Sequence, residues 1–137
     1  MARKVAVPNE RAPDLSFMFN WGIKISDFSE LFLIAGLGDH GADGVIRNPG
    51  NAVKQTESIL AELKDYVERN GYALNDIVRI EFTMSKEVDP ADYEAIFGQF
   101  GAFFAAVDVK PAAGTLRVVE ALALQGMLVE YEMWLAK

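Results

Sequence analysis

Cysteine is absent from the sequence, which excludes disulfides, thiolate metal sites and a thiol nucleophile. No stretch approaches the roughly 18 consecutive apolar residues of a membrane span, and the apolar run after Arg3-Lys4 is too brief for a signal peptide. Positive charge is scarce: 13 Lys and Arg stand against 20 Asp and Glu, for a formal net charge of −7. Arg3-Lys4 is the only adjacent basic pair, and no basic residue lies between Lys86 and Lys110. A nucleic-acid groove needs clustered positive charge against phosphate, so neither nucleic acid nor membrane is an expected partner. What is present is 137 residues, 51% of them hydrophobic. That is ample for a core and too apolar for intrinsic disorder. The composition predicts a soluble, acidic protein of the cytoplasm.

Residues 1–16 hold two of the five prolines and read as a loose N-terminal arm, followed by a single domain over 17–137. From Ser16 to Ser26, Phe17, Phe19, Trp21, Ile23 and Ile25 recur at period two and predict a strand. Glu30 to Gly36 is a short apolar run that suits a second strand, paired antiparallel with the first. Residues 37–50, with Gly38, Gly41, Gly44, Pro49 and Gly50, form the longest glycine-rich loop. It contains neither GxxxxGK[ST] nor GxGxxG, so no phosphate loop is implied. Asn51 to Asn70 carries Val53, Thr56, Ile59, Leu60, Leu63 and Val67 at helical spacing and stops at Gly71. Ile77 to Met84 is rich in β-branched and aromatic residues and predicts a strand. Asp89-Pro90 caps a second helix running to about Ala106, whose stripe of Tyr93, Ile96, Phe97, Phe100, Phe103 and Phe104 reads as core. Thr115–Leu122 and Met127–Leu135 complete the strands. In the last, Val129, Tyr131, Met133 and Leu135 share one face, and Glu130, Glu132 and Trp134 the other. The order β-β-α-β-α-β-β predicts an α+β fold with both helices on one sheet face. The opposite face is apolar enough to expect burial against a partner subunit.

Several strings in this order carry a resemblance: Leu31-Phe32-Leu33-Ile34-Ala35-Gly36, Gln55-Thr56, Leu63 to Gly71, Leu74 to Arg79, Phe103-Phe104, Pro111-Ala112, and Val129-Glu130-Tyr131-Glu132. Together, over roughly residues 17–136, they resemble the RidA/YjgF family of enamine and imine deaminases. The resemblance implies a chorismate-mutase-like α+β domain that assembles as a homotrimer with three clefts between subunits. It also implies hydrolysis of 2-aminoacrylate-like imines to 2-keto acids and ammonia, without cofactor or metal. The site pattern departs from the family's. Ala113 stands where an arginine usually follows Pro-Ala and grips the substrate carboxylate through paired hydrogen bonds. Ala35 replaces a serine before Gly36, Phe97 an asparagine, and Phe19 a tyrosine. Glu130 is retained.

Other groups could take over. Arg117 lies four residues after Ala113, so on a regular strand it faces the same side and is either an anion contact or a cross-strand partner for an acid. Thr115 would add a hydroxyl there. Glu130 is the leading acid/base candidate, ahead of Glu132 and Glu120. Asp39-His40 is the other polar focus, histidine being the side chain that titrates nearest neutrality. No histidine or paired-carboxylate spacing suggests a metal. Two functions compete: a divergent RidA-like hydrolase acting on a small metabolite in an inter-subunit cleft, and a non-catalytic small-molecule-binding or regulatory trimer. Endoribonuclease activity, a third possibility, runs against the acidic charge.

Overall fold

A computed structural model describes residues 2–137. Along the chain run β1 (Arg3–Val7), β2 (Gly22–Ser26), β3 (Leu31–Leu33), α1 (Ala52–Arg69), β4 (Ile77–Ser85), α2 (Tyr93–Phe103), β5 (Ala112–Val119) and β6 (Val129–Ala136). The main sheet has the order β3-β6-β4-β5, with β4 and β5 parallel and the other pairs antiparallel. Strands β1 and β2 form a separate antiparallel pair, tied to β5 by a bridge between Asn20 and Ala112. This is the α+β architecture expected of a RidA-like, chorismate-mutase-like chain.

Helix α1 forms where apolar spacing and capping agree. The Asn51 side chain accepts from the Lys54 N–H at 3.0 Å, satisfying a donor the helix itself cannot. Ile59, Leu60, Leu63 and Val67 are buried, and the chain turns away through Gly71 at φ 81°, a conformation that favours glycine. Asp89 caps the turn before α2 by accepting from the Ala91 N–H at 2.9 Å. Between helices and sheet, Ile80, Phe82 and Met84 of β4 meet Val129, Tyr131, Met133 and Leu135 of β6, all buried. The ring of Phe82 takes Phe19, Phe97 and Phe100 edge-on at centroid distances of 5.3, 5.6 and 4.9 Å, the arrangement aromatic quadrupoles prefer. Of the stripe on α2, Ile96, Phe100 and Phe104 are buried in the core, and Tyr93, Phe97 and Phe103 pack against it partly buried.

One buried polar side chain knits three segments. The Gln55 amide donates to the carbonyls of Asn48 at 2.9 Å and Gly126 at 2.8 Å, and accepts from the Leu128 N–H at 2.9 Å. Beside it the Thr56 hydroxyl lies 2.7 Å from that of Tyr131. Burial pushes the Tyr131 phenol well above its ordinary range, against the lowering effect of the Thr56 bond.

Three expectations need correcting. The arm is not loose throughout, because Arg3–Val7 pairs with β2 from Arg3↔Ser26 to Val7↔Gly22. This strand is mostly exposed and is held by ladder hydrogen bonds, which leave no apolar signature. The strand foreseen from Ser16 starts only at Gly22, since the N–H groups of Met18 and Phe19 both donate to the Leu15 carbonyl in a turn. Nor are β2 and β3 partners. Asp27, at φ 59°, turns the chain at a corner, and β3 joins the longer, buried β6 instead.

Besides a register shift between Ile77 and Arg79 of β4 against β6, two bulges interrupt the sheet beside the polar candidates. Between Ile80↔Ala113 and Phe82↔Leu116, β5 spends three steps on two of β4. Likewise, the Ile34 N–H donates to Met133 and the Leu37 N–H to Tyr131, so Ala35-Gly36 contains one residue more than the facing strand. An extra residue bends a strand and reverses which face its later side chains point to.

Candidate functional site

The outer sheet face, away from the helices, carries the polar candidates. Glu130 and Arg117 both stand in register with Thr83 of β4, which lies between them. With adjacent strands about 4.8 Å apart, the two backbones are about 10 Å apart on one face. The Glu130 carboxylate lies over Gly36: a Cβ added to that glycine would sit 2.1 Å from Oε1. The bulge at Ala35-Gly36 therefore admits the carboxylate only because the residue is glycine. Among the described residues, Glu130 makes no ion pair. Its neighbour Glu132 instead accepts from the Trp134 indole at 3.1 Å.

The β5 bulge changes the expectation for Arg117. Ala113 stands beside Ile80 and packs against the core, whereas Arg117 stands beside Thr83 on the outer face. Four residues on an irregular strand do not return to the same side. Arg117 donates from Nη1 to Oε2 of Glu81 at 2.8 Å, and the Arg79 guanidinium donates to the other carboxylate oxygen. Burial alone would raise the pKa of Glu81, but the two arginine hydrogen bonds outweigh it and hold the carboxyl below the ordinary glutamate value. The same carboxylate leans over Gly114, where a Cβ would meet it at 2.3–2.5 Å. Thr115, beside Gly114 in the bulge, is exposed. Glu120 forms a surface pair with Lys86 at 2.6 Å.

Sequence reasoning passed over Glu81. It reads as one more outward charge in an alternating strand, and only the shifted register of β5 brings Arg117 to it. The one available signal was Arg79 two residues before it, on the same face of the strand.

Phe19, Phe97, Ala113 and Gly114 gather elsewhere, in an apolar cleft of about 310 Å³ between the chain before β2, helix α2 and β5. Arg117 and Thr115 do not line it. Gly36 and His40 border a third place, a groove of about 590 Å³ between β3 and α1 that Tyr66 and Arg69 also reach. The His40 Nδ1 lies 3.3 Å from the Gly41 carbonyl. Asp39 is buried and builds the glycine-rich loop: Oδ2 accepts from the Asn48 backbone N–H at 3.0 Å and side-chain amide at 2.7 Å. Among the described residues its Oδ1 has no partner. Among the described residues no three His, Asp or Glu side chains converge as metal ligands, and no helix is long and apolar enough to cross a membrane.

No family profile and no curated protein matches the chain. Solved structures do. The YjgF gene product of E. coli superimposes with a TM-score of 0.64 at 20% identity, over 97% of this chain and 98% of that one. YyfA of Yersinia pestis, a Rid-family protein of unknown function, gives 0.67 at 18% identity, over 98% and 100%. At such identities the likeness defines a class, the RidA/YjgF-like α+β fold. YyfB of Yersinia pestis goes further: 28% identity and a TM-score of 0.83, over 98% of both chains. It is described as a member of the conserved Rid family, of unknown function. The present chain has the fold of that Rid/YjgF family, and its likeness to YyfB supports membership of it.

Proposed function

We propose that the protein is a homotrimer that takes a small metabolite in a cleft between subunits and hydrolytically deaminates an enamine or imine, or carries out a related proton transfer. Glu130 is the acid/base group. The observation that carries this reading is the Glu130 carboxylate, unpaired among the described residues and held against Gly36 on the outer face. An enamine takes a proton on carbon to become an imine; water then adds to the imine carbon, the C–N bond breaks and ammonia leaves. Each step needs a positioned group that gives or takes a proton. Arg117, with Thr115 nearby, is the anion contact, its guanidinium half-exposed. Phe19 and Phe97, in the separate apolar cleft, and Gly36 and His40, in the groove beside β3, join this site across the subunit boundary. Trimer formation is supported by Leu31, Leu33 and Trp134, 52%, 57% and 38% exposed around β3 and the outer face.

Substitution Glu130→Gln keeps the size and removes the exchangeable proton. Turnover of an enzymatically generated imine, followed by keto-acid release, is expected to fall about 10²–10⁴-fold, with a trimer by light scattering. A fully active variant removes Glu130 from the mechanism. The pairing of Arg117 with Glu81 favours a second reading, a binder without turnover. An oligomer that binds metabolites and releases no keto acid from wild-type protein would establish it.

A further inference from the structure

We propose that the cleft between the chain before β2, helix α2 and β5 is a receptor for an uncharged aromatic ring, the anchoring part of the ligand. This rests on the reading of the protein as a small-molecule site and names the class of molecule it takes. The walls are Met18, Phe19, Trp21, Phe82, Phe97 and Leu116, and Ala113 and Gly114 form the floor. Every one of these side chains is apolar but the indole of Trp21, and its N–H already donates to the Pro13 carbonyl at 2.7 Å. Among the described residues no ionisable side chain lines the cleft. The Glu81 carboxylate, behind Gly114, has both oxygens engaged by arginines. A charged group entering here would lose its hydration and find no counter-charge.

Shape points the same way. Phe19 and Phe97 both meet Phe82 edge-on, at interplanar angles of 67° and 66°. A ring in the cleft would extend this edge-to-face cluster, a contact worth more than its buried area alone. At about 310 Å³ the space sits at the small end of ligand pockets, which run from about 300 to 1,000 Å³. One ring system fits within it. The floor stays open because Ala113 is small.

Calorimetric titration of the full-length protein with phenylacetamide, phenylacetate and 2-oxobutyrate tests the assignment. Phenylacetamide is expected to saturate one site per chain, phenylacetate to bind at least tenfold more weakly, and 2-oxobutyrate not to saturate over the same range. Ala113→Leu fills the floor and is expected to weaken phenylacetamide at least tenfold. Leu116→Lys, at a partly exposed position, is the second variant and is expected to reverse the preference toward phenylacetate. Absence of saturation by phenylacetamide overturns the proposal, as does tighter binding of 2-oxobutyrate or unchanged preference in a folded Leu116→Lys protein. Affinity that rises as the oligomer is diluted would overturn it too, by placing a second copy of the chain in the cleft. Glu130→Gln is expected to bind phenylacetamide like wild type. Loss of turnover with ring binding absent would sink this inference alone; ring binding with Glu130→Gln fully active would sink the mechanism alone.

Discussion

Glu81 and Glu130 stand on adjacent strands of one sheet face, each laid over a glycine at a bulge, and they differ in what else they touch. Glu81 is buried and gripped by arginines from its own and the neighbouring strand. Glu130 is half-buried and makes no ion pair among the described residues. A carboxylate whose lone pairs are taken up by two guanidinium groups is a structural anion, costly to protonate or displace. A carboxylate left without a cation keeps its proton chemistry available. The same glycine-and-bulge device thus yields a fastener in one place and a candidate reactive group in the other.

Adding a methyl group at each glycine separates the two most sharply. Gly114→Ala forces the Glu81 carboxyl away from both arginines. We expect a loss of about 2–4 kcal/mol, read as a lower denaturant midpoint with an unchanged m-value. A loss under about 0.5 kcal/mol would mean that Glu81 fastens nothing.

Acid supplies a milder version of the same test. The Glu81 carboxyl is held below the ordinary glutamate value, so its contribution is fully present above that value and fades as pH falls through the lower, folded-state one. Comparison of wild type with Glu81→Gln by denaturation between about pH 7 and pH 3, a range spanning the ordinary glutamate pKa, is expected to give a stability gap that narrows on the acid side. A constant gap would assign the effect of the substitution to packing.

The smallest effect on stability is expected at the other glycine. Gly36→Ala displaces only the end of an unpaired, flexible side chain, at a cost below about 1 kcal/mol. Turnover, if Glu130 is the acid/base group, is expected to fall far more than stability. Equal losses in both would erase the contrast between the two carboxylates.

Much of this architecture can be read from the sequence where one face of an element is buried. The spacing of Ile59, Leu60, Leu63 and Val67 announces α1, and the alternation from Val129 to Leu135 announces β6 and puts Glu130 on its outer face. Where pairing alone makes the structure, the pattern is silent: β1 buries little, and β3 is three residues long. The site is harder still, because each bulge shifts side-chain parity without changing composition. Gly114-Thr115 moves Arg117 from the side of Ala113 to that of Glu81, and a regular-strand count from Ala113 lands on the wrong face. Gly36 could be singled out by its place after β3, but its closeness to Glu130 depends on a register between segments more than 90 residues apart.

The Gln55 side chain has a consequence for how the protein opens. Its amide serves as a spare peptide unit, bonded to Asn48, Gly126 and Leu128 as a strand backbone would be. The Leu128 amide hydrogen can meet solvent only when that side chain lets go, which requires the first turns of α1 to loosen. Its exchange with deuterium is thus tied to a helix start 73 residues away, and should follow the breathing of α1 more closely than that of the loop in which Leu128 itself resides.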